Sequence, residues 1–325
     1  MEKILIFVET KDNEPRVSSL ELLSEGKRLA EAGRFSVEAV ALGRLSALAK
    51  DKVLSYVEKL VNIVDPALDA YTAEGHARVF ASHAKDLAPK LILAGATRMG
   101  RDFLPRVAVI LRSGIASDVT AVNWLDDPMT FVRPMFGGRV LAEVSFTSFP
   151  AIVTTRPKTF AITDGGPVIG QFVEKEVGFL PEQVKTRVLR LEEKAKGKVD
   201  LTEADVIVSG GHGMKAPENF GLLEELARTI GGTVGATRSV VDSKWRDYED
   251  QVGKSGKTVS PNLYVAVGIS GAIHHIMGMG TSKVVLAINK DANAPIFKHA
   301  DYGIVGDLFE VVPALTAAFK KKLGG

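Results

Sequence analysis

Asp205-Val-Ile-Val-Ser-Gly-Gly-His-Gly213 sets a run of buried-strand residues directly against a glycine turn, and Pro217-Glu-Asn-Phe-Gly-Leu-Leu-Glu-Glu-Leu-Ala-Arg-Thr-Ile230 follows it. In the second stretch Phe220, Leu223, Ala227 and Ile230 recur at helical spacing, and Gly231-Gly232 marks the stop. The same strand, glycine and helix logic returns at Leu263-Tyr-Val-Ala-Val-Gly-Ile-Ser-Gly-Ala272, and Lys283-Val-Val-Leu-Ala-Ile-Asn289 reads as a further strand. Alternation of this kind predicts an α/β fold with a mainly parallel sheet covered on both faces.

Working outward, the first part of the chain repeats the pattern. Ile4–Val8, Val37–Leu42, Pro89–Thr97 and Pro150–Thr155 read as strands, and Ser18-x-x-Glu21 reads as a capping box opening a helix that ends at Gly33. Arg133-Pro-Met-Phe-Gly-Gly-Arg139 interrupts this with a hairpin-like turn. The polar segment Glu192-Glu-Lys-Ala-Lys-Gly-Lys198 separates the halves, giving expected domains of 1–195 and 196–325. The last helix finishes on Lys320-Lys-Lys322, where positive charge suits the carbonyl end of the helix dipole.

The 325 residues are 46% hydrophobic and 25% charged, ordinary values for a globular chain that exclude disordered, collagenous and coiled-coil classes. Basic and acidic residues, 41 and 39, nearly cancel and are interspersed, so no nucleic-acid surface is expected. Cysteine is absent, which excludes disulfides, thiolate metal sites and cysteine nucleophiles. No apolar run reaches membrane-spanning length, so no membrane insertion is expected. The N-terminus lacks the pattern of a secretory or transit peptide, making a cytoplasmic location the default expectation.

Several apparent motifs fail on their own chemistry. Gly253-Lys-Ser-Gly-Lys-Thr258 resembles the end of a P-loop, but Gln251 stands where that loop needs glycine, and no hydrophobic strand precedes it. Gly268-Ile-Ser-Gly271 lacks the closing glycine of a hydrolase elbow, since position 272 is Ala. His274-His275 with His299 and Asp301 lacks an i, i+4 histidine pair, so no metal site is expected. What remains is a density of strand-end glycines: Gly210, Gly211, Gly213, Gly253, Gly256, Gly268 and Gly271. Turns before helices gather free N–H groups and positive dipole ends, which suits a dinucleotide pyrophosphate. Glycines that serve turns alone are the alternative reading.

The residues then become specific enough to point to a family. VIVSGGHGMKAPENFGLLEELA, VGATRSVVD, QVGKSGKTVSPNLYVAVGISGAIHH and GMGTSKVVLAINKDANAPIFKHADYGIVGDLFEVVP, in this order between Val206 and Pro313, resemble the α-subunit of electron transfer flavoprotein. Weaker likeness runs through VSSLELLSEGKRLAE, LILAGATRMGRD and RPMFGGRVLAEV. The resemblance implies a nucleotide-hydrolase-like α/β domain followed by a doubly wound parallel-sheet domain that binds FAD. It further implies that Ser270, Gly271, Ala272 and Ile273 line the pyrophosphate and ribityl region, that Thr237 contacts the phosphates, and that Asn289, Asp307 and Leu308 hold the adenosine end. Val252, Gly253, Lys254 and Ser255 would run past the isoalloxazine, with Arg238 and His275 as its cationic and imidazole neighbours. Gly211, His212, Gly213 and His274 complete the expected cofactor set. No residue is expected to be catalytic in the acid–base or nucleophilic sense, because the flavin carries the redox chemistry.

Three positions depart from the family's usual pattern: His212 stands for Arg, and Lys254 and His274 each for Gln. An imidazole titrates in the working pH range where a guanidinium does not. His212 and His274 therefore carry the expectation of a pH-dependent flavin potential between about pH 6 and 8; relocation of the positive charge to Lys254 is the simpler alternative. The implied role is electron shuttling from an acyl-CoA or similar flavin dehydrogenase to a quinone oxidoreductase or other acceptor, as a heterodimer with the family's β-subunit packed on the N-terminal domain. Glu192–Lys198 is the expected hinge for a swivelling flavin domain. A flavin-based electron-bifurcating, NADH-dependent complex with a second FAD is the alternative.

Overall fold

A computed structural model describes residues 1–124, 126–138, 140–178, 184–186, 188–190 and 199–323. The chain divides into two compact units, Met1–Glu193 and Lys194–Gly325. The expected hinge, Glu192–Lys198, lies outside the described residues.

In the first unit, strands β1 (Glu2–Val8), β2 (Phe35–Leu42), β3 (Lys59–Val64), β4 (Leu91–Gly95) and β5 (Ile115–Val119) are followed by a three-stranded antiparallel insertion, β6 (Ala121–Asn123), β7 (Thr130–Met135) and β8 (Val140–Val144). β9 (Ala151–Thr155) and β10 (Gln171–Glu176) complete the main sheet, seven strands in the order β10-β3-β2-β1-β4-β9-β5 and parallel throughout. Helices α1 (Val17–Glu31), α2 (Ala47–Leu54), α3 (Ala73–Leu87) and α4 (Arg98–Leu111) connect the strands. Ile4 to Val8 are all buried because alternate residues serve opposite faces: Ile4, Ile6 and Val8 join one core, Leu5 and Phe7 the other. Each fully buried Leu, Ile or Phe of this kind contributes about 1.5–3 kcal/mol.

The capping box is a misreading. Helix α1 begins at Val17, one residue before Ser18, with Arg16 as its side-chain-free cap. Ser18 is buried without a partner for its hydroxyl, and the Glu21 carboxylate turns away to accept from the Lys158 backbone N–H at 2.8 and 3.0 Å. A tertiary acceptor role outcompeted the local one. The hairpin reading at 133–139 matches β7 and β8 with a short 3-10 turn at Phe136–Gly138, Arg139 lying outside the described residues.

In the second unit, β11 (Val206–Gly210), β12 (Thr233–Ala236), β13 (Leu263–Val267), β14 (Val284–Asn289) and β15 (Tyr302–Val305) form a parallel sheet in the order β12-β11-β13-β14-β15. Helices α5 (Phe220–Thr229), α6 (Arg238–Asp242), α7 (Ile273–Met279) and α8 (Leu308–Leu323) link or follow the strands. Val208, Val265 and Val267 pack on one face with Phe220, Leu223 and Val312, while Ile207, Tyr264 and Ala266 pack on the other with Met279 and Ile296. Both faces are covered, as a doubly wound sheet requires. Its topological switch point falls between β11 and β13, where open α/β sheets form their ligand crevice.

Candidate functional site

The residues of the expected cofactor set fall at the carboxyl edge of the five-stranded sheet, on the first turn of α7 or on a loop tied to that edge. Gly211, His212 and Gly213 follow β11; Thr237 and Arg238 follow β12; Ser270–Ile273 follow β13; Asn289 ends β14; Asp307 and Leu308 follow β15. Val252 lies beside the end of β12, donating its backbone N–H to the Ala236 carbonyl at 2.9 Å. One edge of one sheet thus gathers positions spread over about a hundred residues of sequence.

The glycines do something other than the sequence suggested. The N–H groups of Gly211, Gly213, Gly253, Gly256 and Gly268 donate to the carbonyls of Val267, Gly268, Lys257, Gly253 and Ile288. They are not free for a phosphate. A side chain on Gly211 would collide with the Gly268 carbonyl oxygen, and one on Gly213 would come 2.7 Å from the Gly268 Cα. The two switch-point loops therefore interlock backbone against backbone. Gly271 adopts φ +87° and packs on the Ile296 backbone, a conformation and a space that exclude a Cβ. The cap positions Thr237 and Ala272, ahead of α6 and α7, make no side-chain capping bond.

At the rim, Arg238, Lys254, Ser255, Ser270, Ile273 and His274 are exposed. Arg238 Nε donates to Asp242 at 3.3 Å, and the Thr237 and Ser239 hydroxyls are 3.0 Å apart. The His212 ring tilts against Trp245, centroids 4.6 Å apart, with Nε2 3.3 Å from the Ser243 hydroxyl. Gln251 Nε2 donates to the Ser255 hydroxyl at 3.0 Å, and the Tyr248 hydroxyl donates to the Ser255 carbonyl at 2.7 Å. The strap carrying Gly253, Lys254 and Ser255 is thereby fixed from both sides, and the Lys254 N–H also donates to the His274 carbonyl at 2.8 Å.

Three further residues of the expected set lie at the ends of β14 and β15. Asn289 donates to the Ile269 carbonyl at 2.9 Å and accepts from the Asp291 N–H at 3.0 Å. Asp307 caps α8 by accepting from the Phe309 N–H at 2.9 Å, and Leu308 is a core residue that offers a ligand only its backbone. His275, expected beside Arg238 as a neighbour of a bound ring, lies below the surface. Its Nδ1 is 3.2 Å from the Val252 carbonyl, and its Nε2 is 3.0 Å from the Tyr264 hydroxyl. Burial holds its pKa down to about 4, against the opposing pull of the Val252 carbonyl, so the ring is neutral at pH 7. Nδ1–H then donates to Val252 and Nε2 accepts from Tyr264.

Tyr264, Trp245, Tyr248 and Gln251 escaped the sequence reading. Only Tyr264 carried a visible signal: a hydroxyl inside the aliphatic strand LYVAV needs a buried partner.

The arrangement fits a dinucleotide laid along the sheet edge, with polar hydroxyls and uncapped helix turns near its phosphates and cations at the rim. Comparison with known proteins gives the family and its cofactor. Residues 4–199 match the electron transfer flavoprotein domain, and residues 200–280 match the electron transfer flavoprotein FAD-binding domain. The chain is 41% identical to the electron transfer flavoprotein subunit alpha of Thermoanaerobacterium thermosaccharolyticum and 37% identical to that of Bacillus subtilis, with 98% of each chain covered in both cases. It is 36% identical to the acryloyl-CoA reductase electron transfer subunit beta of Anaerotignum propionicum, covering 98% of this chain and 95% of that one.

Fold and site thus define a flavin-carrying protein of electron transfer, with FAD as cofactor. The chain belongs to the electron transfer flavoprotein alpha-subunit family. Among the described residues no helix is long and apolar enough to cross a membrane.

Proposed function

We propose that this chain carries its FAD along the carboxyl edge of the β11–β15 sheet and shuttles electrons as the partner of a β-subunit. The donor would be an acyl-CoA or similar flavin dehydrogenase, and the receiver a quinone oxidoreductase or other acceptor. The observation that carries this reading is the convergence of Thr237, Val252–Ser255, Ser270–Ile273 and Asp307 on one edge. The name of the Anaerotignum relative, an electron transfer subunit of an acryloyl-CoA reductase, supports a CoA-ester donor or acceptor class.

When bound, FAD supplies one- and two-electron redox chemistry. The protein's part is binding and electrostatics. Thr237, Ser270 and the first turn of α7 would hold the phosphates; the backbone around Asn289 and Asp307 would hold the adenosine end; the strap Val252–Ser255 would border the ring. Arg238 and Lys254 bring positive charge to the rim, which favours electron-rich flavin by Coulomb attraction. The β7–β8 hairpin leaves Phe136, Val140 and Leu141 exposed, apolar surface on the first unit that a β-subunit would cover.

Co-expression with the β-subunit, followed by counting FAD per heterodimer and following bleaching on addition of a reduced acyl-CoA dehydrogenase, tests the reading. One FAD that is reduced by the dehydrogenase is expected. A colourless heterodimer in excess FAD would overturn it, and two FAD would favour the bifurcating complex.

A further inference from the structure

Lys257 closes the strap, yet the flavin reading gives its side chain no task. The side chain is only 9% exposed, and its ammonium lies between carboxylates from two different parts of the chain, Asp200 at 3.2 Å and Glu249 at 3.4 Å. Asp200 stands just ahead of β11, near the start of the second unit, and Glu249 stands on the short 3-10 turn Tyr248–Asp250 that leads into the strap. We infer that Lys257 is a positioning residue: it fastens the strap to the turn at Asp200, so that the place of Lys254 and Ser255 depends on where the chain enters the second unit. This rests on the flavin site proposed above, because the strap is taken to border the ring.

Both ends of the link are fixed. At the upstream end the Asp200 carboxylate accepts from the Thr202 N–H and hydroxyl, each at 2.9 Å, and the Asp200 carbonyl accepts from the Glu203 and Ala204 N–H groups, so this residue builds its own turn. Burial pushes the Asp200 carboxyl up, but the Thr202 bonds and the Lys257 charge outweigh it and hold the group below the usual carboxylate range. It therefore meets Lys257 as an anion. At the downstream end the Lys257 N–H donates to the Gln251 carbonyl at 2.7 Å, and the Lys257 carbonyl accepts from the Gly253 N–H at 3.1 Å. The residue that grips Asp200 thus also closes the loop around Lys254 and Ser255. A Cβ on Gly256 would collide with the Gln251 carbonyl, which leaves that turn no slack beside Lys257. The Val252 N–H joins the near end of the strap to β12, and Lys257 joins its far end to the entry turn. Leu201 and Ala204 of that turn are buried in one core with Val252 and Val259. A nearly buried ammonium that loses a carboxylate is left undercompensated, and the cost falls on the loop it closes.

The test uses the αβ heterodimer, with and without FAD, as wild type, Asp200→Asn, Lys257→Arg, Lys257→Met and the double variant Asp200→Asn/Lys257→Met. Asp200→Asn should raise hydrogen exchange at Gly253 and Gly256 by about tenfold, the effect of one lost hydrogen bond to a charged group, with exchange across β14 unchanged. It should also alter the visible circular dichroism of the flavin while one FAD is still bound. Lys257→Met should do the same, and Lys257→Arg, which keeps the charge, should lie nearer wild type. The double variant should exchange no faster than Lys257→Met, because both changes break one link. Unchanged strap exchange in Asp200→Asn overturns the proposal, as does a double variant whose increase is the product of the single ones. A rise shared equally by β14 marks general destabilisation and overturns it too. Faster exchange with unaltered flavin dichroism removes the positioning role. Should Lys257→Met fail to fold, Asp200→Asn against wild type still decides. A wild-type heterodimer that binds no FAD would defeat the flavin site, while exchange in FAD-free protein would still decide the link between Asp200 and the strap.

Discussion

The chain contains two parallel sheets with a carboxyl edge apiece, and the two edges are furnished in opposite ways. In the first unit the edge is filled by its own charges. Glu9, 4% exposed at the end of β1, accepts from the Thr97 hydroxyl and from Arg16 at 3.4 Å. Asp118 is gripped by Arg156 through two bonds of 3.0 and 2.6 Å and by Arg101 at 3.2 Å. In the second unit the edge presents Arg238, Lys254, Ser255, Ser270 and His274 at the surface, and its buried polar groups hold loops in place. Parallel topology supplies a crevice in both. What decides whether the crevice is available is whether the protein's own side chains neutralise each other inside it.

That contrast can be broken from either side. The largest effect is expected for Gly271→Val, which forces a β-branched residue into φ +87° against the Ile296 backbone. It should destabilise the second unit by more than about 4 kcal/mol and abolish FAD retention, with exchange in the first unit unchanged. Glu9→Ala should do the reverse. It leaves Arg16 partly buried without this carboxylate and should lower stability of the first unit by about 3 kcal/mol, with FAD content intact, as read by denaturant titration alongside flavin absorbance.

The units should also differ in their answer to pH. Burial pushes the Glu21 carboxyl up to about 7, against the Lys158 hydrogen bonds. Since the folded state holds its proton more tightly than the unfolded one, stability from this group is full below about pH 4.5 and is lost as pH rises through about 7. Glu21→Gln should remove about 2–3 kcal/mol of that loss between pH 5 and 8. His76 in the first unit and His275 in the second are both lowered to about 4 by burial. Each has the opposite sign: its contribution is present above about pH 6.5 and is lost on acidification toward pH 4. The first unit therefore balances two opposed slopes, and the second carries the histidine slope from His275.

The smallest effect belongs to the rim. Arg238→Gln breaks an exposed pair with Asp242 and should change stability by under about 0.5 kcal/mol. Removing a positive charge should nonetheless lower the flavin potential, by about 30 mV for a two-electron step if the charge is worth a tenfold change in equilibrium. The same potentiometric titration on His212→Arg checks whether His212 gives the potential its pH dependence; identical slopes in variant and wild type would remove it.

Much of this was readable in the sequence because the strands and helices announce themselves by local pattern. Val206–Gly210 and Phe220–Thr229 follow from apolar runs and helical spacing, and motif order carried the family and its cofactor. The misses share a cause. Ser18 and Glu21 have capping-box spacing, but Glu21 answers to Lys158, 137 residues away. The strand-end glycines look like donors to a phosphate, yet the amides of Gly211, Gly213 and Gly268 serve carbonyls on or just after neighbouring strands, and those of Gly253 and Gly256 serve their own loop. Nothing in the spacing around His275 shows that Tyr264 and Val252 close around it. Local spacing cannot show which distant group claims a side chain.

The interlocked turns of Gly211, Gly213 and Gly268 leave room for nothing larger than hydrogen at the junction of β11 and β13. Retuning by substitution is thereby left to the outer ring of His212, Lys254 and His274, which lie exposed at the surface. Retuning this electron carrier means redecorating its doorway, since the hearth is mortared shut.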